Sequence, residues 1–183
     1  LAETTFLRLR KIVESHVPVD QQHLSYVLDG MARMYDFQLD YSRAAQLYRE
    51  ELAILEKSPE AGPDDLGHVL ARMGNVRASQ QNYVEAERLL RLAEAKLVQH
   101  FGARHARAAE AHSFLASLYN QQGRFAEAER LLRNVLEIQE EVYGLQHPTV
   151  AHTLVSLSRT YQWQERSAQA LPLLQRAYKI QSA

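Results

Sequence analysis

The 183-residue chain contains no cysteine, which excludes disulfides and thiolate metal sites and leaves the redox compartment open. Breakers are scarce, with seven glycines and five prolines, as suits a helical protein. The formal net charge is only −1, so no global basic field attracts nucleic acid or an anionic membrane. Neither is expected as a partner. No apolar run approaches the roughly 18 residues that a membrane span requires. The opening LAETTFLRLRKIVESH has no uninterrupted apolar stretch, so no signal peptide is expected there. It reads as the start of an excised piece, and a cytoplasmic location is expected.

What is present is a repeat. The stretch Leu118–Pro148 reads as a helix end, a tight turn, a long amphipathic helix and the start of another helix. The same skeleton returns at intervals of 42 residues. Phe125 becomes Tyr83 and Tyr41; Ala128 becomes Ala86, Ala44 and Ala170; Gln122 becomes Gln80, Gln38 and Gln164. Self-similarity at a fixed period marks an array whose units share one continuous core. The fold expected is all-α, over a single array spanning 1–183.

In this register residues 1–20 form the second helix of a truncated repeat, since Ala2 lies 42 before Ala44. Phe6, Leu9, Ile12 and Val13 then supply its buried face. Repeats follow at 21–62, 63–104, 105–146 and 147–183. Their first helices carry apolar or small residues at spacings of 3 and 4, among them Leu28, Met31, Ala32 and Tyr35. Leu70, Met73 and Gly74 follow in the second repeat, Leu115, Ala116 and Tyr119 in the third, and Leu154, Leu157, Ser158 and Tyr161 in the fourth. The small residue beside a large one (Ala32, Gly74, Ala116, Ser158) is what a close helix–helix approach needs. His112 stands where other repeats have leucine and reads as a half-buried core histidine.

Asn82 and Gly123 lie just before the second-helix aromatics, where the chain must stop and reverse. Gly102 and Gly144 close second helices, and His147-Pro148 opens a first helix. SPEAGPDD (58–65) is a longer, more polar joint and is expected to be the most mobile. Pro172 should cost its helix one backbone hydrogen bond and bend it.

Phrases such as QGRFAEAERLLRNVLEIQEEVYGLQHPTVAHTL resemble the tetratricopeptide repeat, in the 42-residue variety of kinesin light chains and nephrocystin-like proteins. The resemblance covers essentially the whole chain. It implies a right-handed superhelical solenoid of antiparallel helix pairs that acts as a protein-interaction scaffold. It also implies that the first helices line a concave groove. The groove face would then be Tyr26, Asp29, Gly30, Arg33 and Phe37; His68, Ala71, Arg72, Asn75 and Ser79; Glu110, Ser113, Phe114, Ser117 and Gln121; and His152, Val155, Ser156, Arg159 and Trp163. Within it, Arg33, Arg72, Asn75 and Arg159 suit an acidic peptide, because guanidinium forks grip carboxylates and an asparagine amide holds a peptide backbone. Phe114 and Trp163 would be apolar anchors, with Ser117 and Gln121 beside them. Where kinesin light chains carry an L-N-N-L-A phrase, this chain has LDGMA, LARMG, FLAS and LVSLS, so their cargo mode does not transfer. Of the carboxylate clamp of chaperone-binding relatives, only Asn75 and the arginines remain.

No chemistry of another kind is signalled. There is no nucleophile elbow, phosphate loop or HExxH motif, and no enzyme is expected. His100 and His105, like His147 and His152, are five apart rather than the four that stacks two ligands on one helix face, so no metal and no cofactor is expected. The partner expected is a protein or peptide held in the groove. Tyr178 and Ile180, with Leu173 or Leu174, would leave an uncapped terminal helix open to self-association. Two other readings compete: a regulatory segment of a larger signalling or transcription-control protein that binds an effector or an intramolecular domain, and a helical enzyme or metal protein.

Overall fold

The computed structural model describes residues 2–15 and 21–182. Among them lie nine α-helices and no strand: α1 (Ala2–Glu14), α2 (Gln21–Phe37), α3 (Tyr41–Leu55), α4 (Pro63–Ser79), α5 (Tyr83–Phe101), α6 (Ala106–Gln121), α7 (Phe125–Tyr143), α8 (Pro148–Trp163) and α9 (Ser167–Gln181). They fall into two compact units, Leu1–Lys96 and Leu97–Ala183.

Each hairpin is closed by the same backbone device. Leu39, Gln81, Gly123 and Glu165 have positive φ, at 62, 60, 73 and 60°. The next amide reaches back five residues: Asp40 N donates to Tyr35 O (2.9 Å), Asn82 to Arg77 (3.0 Å), Arg124 to Tyr119 (2.8 Å) and Arg166 to Tyr161 (2.9 Å). A left-handed residue followed by a six-to-one bond is the Schellman end of a helix. Asn82 is therefore one place later than Gly123 in its repeat. It caps α5, its Oδ1 accepting from Glu85 N at 3.4 Å, while the reversal belongs to Gln81. In the last two hairpins the turn arginine covers the tyrosine it follows, Arg124 over Tyr119 at 3.9 Å and Arg166 over Tyr161 at 4.6 Å.

In unit 1, α1 runs antiparallel to α2, since Tyr35 near the end of α2 donates to Glu3 at the start of α1 (2.6 Å). Arg10 of α1 reaches α3, pairing with Glu50. The buried stripe expected on α1 is only half present: Phe6 and Val13 are partly covered, and Leu9 and Ile12 are exposed. Phe6 lies on Gly30, where an added Cβ would stand 2.5 Å from the ring. Gly30 therefore faces α1 and not a groove. Ala71 is likewise buried; it turns into the packing beside Leu70. The 58–65 joint is shorter than its sequence suggests, because α4 begins inside it. Pro63 takes the first helical position, where its missing N–H costs nothing, and Gly62 N donates to Asp65 Oδ2 at 2.9 Å.

In both units the anchor alanines Ala44, Ala86, Ala128 and Ala170 are buried, as are Ala32, Gly74, Ala116 and Ser158. In unit 2 a cluster of Val150, Ala151, Leu154, Ala177 and Ile180 joins α8 to α9, with Leu136 of α7 packed on it. Ile180 is thus core rather than exposed, because the last turn of α9 folds onto the start of α8. Tyr178, two residues earlier, points to solvent. His112 is buried, as its leucine slot requires.

The concave groove of unit 2

Helices α6 and α8 present their faces to a groove of about 760 Å³, and α7 supplies Leu132, Gln139 and Tyr143 to it. On α6 the lining residues Phe114, Ser117 and Gln121 follow one another at spacings of 3 and 4. On α8 His152, Ser156, Arg159 and Trp163 do the same. Helical geometry puts each set on one face.

Two hydrogen bonds hold the walls. Asn120 Nδ2 of α6 donates to Thr160 Oγ1 of α8 at 2.9 Å. Thr153 Oγ1 of α8 donates to Gln139 Oε1 of α7 at 2.7 Å. The serine hydroxyls are turned back on their own helices, Ser113 to Ala109 O (2.9 Å) and Ser156 to His152 O (3.1 Å). Ser113 and Ser156 are thus satisfied within their helices, and Asn120 Oδ1 is a buried acceptor that meets no donor.

Charge is unevenly spread. The charged lining is Arg107, Arg159 and one carboxylate, Glu110, which Arg107 approaches to 4.0 Å. Arg159 is exposed and forms no ion pair among the described residues. One turn on, Trp163 is 48% exposed and stacks on Phe125 of α7, ring centroids 5.9 Å apart and 28° between planes. The other end of the groove is edged by His105. Its Nδ1 accepts from Arg107 N at 3.2 Å and caps α6, and its ring stacks on Phe101 at 4.5 Å. His147 repeats this at α8, accepting from Thr149 N at 3.2 Å and stacking on Tyr143 at 4.8 Å. Both histidines are helix caps.

Of the residues singled out in the sequence, Phe114, Ser117, Gln121, Arg159 and Trp163 share this groove. Arg33, Arg72 and Asn75 belong to unit 1. Arg33 is exposed and approaches Asp29 at 3.7 Å. Arg72 is half-buried and faces Asp29 and Asp36, whose charges it stabilises. Asn75 is half-buried on α4. The groove also draws on residues the repeat register passed over. Gln139 fills the slot of Leu55 and Leu97, and Thr153 that of Val69 and Ala111. Polar residues in apolar slots were the available signal.

No three of His, Asp and Glu gather as a metal site among the described residues. No described helix is long and apolar enough to cross a membrane.

Helix pairs of constant register, joined by one turn type and stacked through alanines, define a helical-repeat protein. The tetratricopeptide-repeat family model matches residues 65–133 and 107–183, and the chain belongs to that family. Its fold is shared by solved structures of low identity. BtubC (BKLC) from P. vanneervenii superposes with a TM-score of 0.79 at 18% identity, over 99% of this chain and 72% of that one. A putative kinesin light chain from Podosopora anserina with nearly identical TPR-like repeats gives 0.71 at 21% identity, over 99% and 87%. MamA gives 0.61 at 12% identity, over 97% and 86%. No curated protein matches the chain.

Proposed function

We propose that the chain is a non-catalytic interaction scaffold and that the unit 2 groove takes an acidic peptide or helix of a protein partner. The observation that carries this is Arg159, a guanidinium without an ion pair, placed on one helix face with the exposed Trp163. A fork beside an aromatic plate suits a carboxylate next to an apolar side chain. The neutral lining of Ser117 and Gln121 offers hydrogen bonds to the backbone between them.

The test is a fluorescence-anisotropy titration with acidic peptides that carry one aromatic residue, against the same peptides with lysine for glutamate. A charge-assisted hydrogen bond contributes about 1.5–3 kcal/mol, so Arg159→Ala should weaken binding at least about tenfold. Trp163→Ala should do likewise. Arg33→Ala, in unit 1, should leave affinity unchanged. Undiminished binding by an Arg159→Ala/Trp163→Ala double variant would remove the groove from consideration.

A further inference from the structure

Unit 1 holds a buried polar cluster that the groove does not use. Four slots of the first repeat carry polar residues where other repeats carry small or apolar ones. Ser25 replaces Gly67, Ala109 and Ala151; Asp29 replaces Ala71, Ser113 and Val155; Tyr48 replaces Leu90, Leu132 and Leu174; Glu51 replaces Ala93, Val135 and Ala177. Glu51, on α3, is 4% exposed. Its Oε1 accepts from Ser25 Oγ of α2 at 3.0 Å, while Oε2 is shut from water and meets no partner. The hydroxyl of Tyr48, one turn away, is also buried without a partner.

A carboxylate with a bare oxygen in a dry core is costly, whereas the neutral acid is not. Burial first, then the charge of Asp29, pushes the Glu51 carboxyl up to about 8. The groups around it are Ser25 and Asp29 on α2, Tyr48 on its own helix, and Asp65 and His68 on α4. Asp29 takes the opposite state. Burial raises it, but the imidazole of His68 (3.8 Å) with Arg33 and Arg72 outweighs burial and holds it below the usual carboxylate range. Two neighbouring carboxyls are thus kept in different charge states, which makes one of them a proton store.

We propose that Glu51 is a proton-operated latch in unit 1: protonated, it closes α2 and α4 on α3, and deprotonated, it releases them. A second negative charge beside Asp29 must be hydrated. Ser25, which donates to Glu51, and Asp65 line a cavity of about 30 Å³, room for one water molecule beside the latch. The folded value lies above the free value of 4.5. The latch is therefore fully stabilising below about pH 4.5, weakens as pH rises, and stops weakening once pH passes about 8.

Hydrogen exchange of the whole chain, corrected for intrinsic rates, reads the latch directly. Between about pH 5.5 and 8, opening at α2 and α4 should rise by roughly tenfold per pH unit at most, while α6 and α8 stay unchanged. Glu51→Gln should abolish the rise, and His68→Gln, which removes the imidazole facing Asp29, should retain it. The rise surviving in Glu51→Gln, or vanishing only in His68→Gln, overturns the latch. Infrared spectroscopy of the unmodified chain gives a measurement that needs no variant. A protonated-carboxyl band should be present near pH 6.5 and lost by about pH 10, and its absence at the lower pH overturns the proposal equally.

Discussion

Gly74 of α4 and Leu90 of α5 meet so closely that a Cβ on the glycine would stand 2.7 Å from Leu90 Cγ and 3.3 Å from the carbonyl oxygen of Ala86. Leu90 is fully buried and cannot swing away. Gly74→Ala gains about 1 kcal/mol of helix propensity but overpacks at a cost of about 1–3 kcal/mol. It should destabilise the chain by about 1 kcal/mol in urea melts. At Gly30 the obstacle is the far edge of the half-exposed Phe6 ring, which can rotate. Gly30→Ala should therefore be neutral or slightly stabilising, and a loss as large as that of Gly74→Ala would contradict this account.

These two glycines show what the sequence could and could not say. Gly74 falls in the small slot with Ala32, Ala116 and Ser158, so periodicity alone predicted a close approach. Gly30 falls on the opposite face by the same count, which points to the groove. What covers that face is a neighbouring helix, α1, and a period gives no information about where an end helix lies down. The groove was legible along each helix, since Phe114 to Gln121 and His152 to Trp163 keep helical spacing. Its α7 contribution left one trace, Gln139 in the slot of Leu55 and Leu97, because Gln139 and Tyr143 meet α6 and α8 only in three dimensions. Arg72 lies near Asp29 and Asp36, whose charges it stabilises, and Asp29 breaks the period in another repeat, so a register read within one repeat does not show that neighbourhood.

Three hairpins place a residue with a Cβ in the left-handed region, where that atom costs roughly 1–2 kcal/mol. Leu39→Gly, Gln81→Gly and Glu165→Gly should each raise stability by about 1 kcal/mol. Gly123→Ala should lower it by about as much, for backbone reasons alone, since nothing lies within 4 Å of its missing Cβ. Thermal melts of the four variants check both signs.

The histidine caps give a third expectation. His105→Ala and His147→Ala each remove a side-chain acceptor at a helix start, a loss of about 1 kcal/mol. His147→Asn restores an acceptor but not the ring stacked on Tyr143, so it should recover part of the loss. Full recovery would mean that the stacking contributes nothing.

Glu129 of α7 is buried and ionised, held by Arg133 at 2.8 Å, by Arg166, by Tyr161 Oη at 3.2 Å and by Gln164. Burial raises its pKa, but the Arg166 and Gln164 hydrogen bonds and the arginine charges together carry it below the ordinary glutamate value. A depressed carboxyl stabilises above its free value and ceases to do so as pH falls through the folded one. Glu129→Gln should cost about 2 kcal/mol at pH 7, discounted for the exposed side of Arg133. The cost should shrink as pH falls below the ordinary glutamate value and through the lower folded one. Denaturant melts at pH 7 and in that acid range decide it.

The shared hairpin turn has a consequence for how the chain can change in length. Residues 38–40, 80–82, 122–124 and 164–166 join the pairs with three residues each. One residue more or fewer would rotate the following helix by about 100° and carry its anchor alanine out of the interface. Residues 56–62, between α3 and α4, belong to no helix and can absorb an insertion without turning anything. Growth by whole repeats keeps the phase, whereas single-residue insertions in the three-residue turns within the pairs lose it.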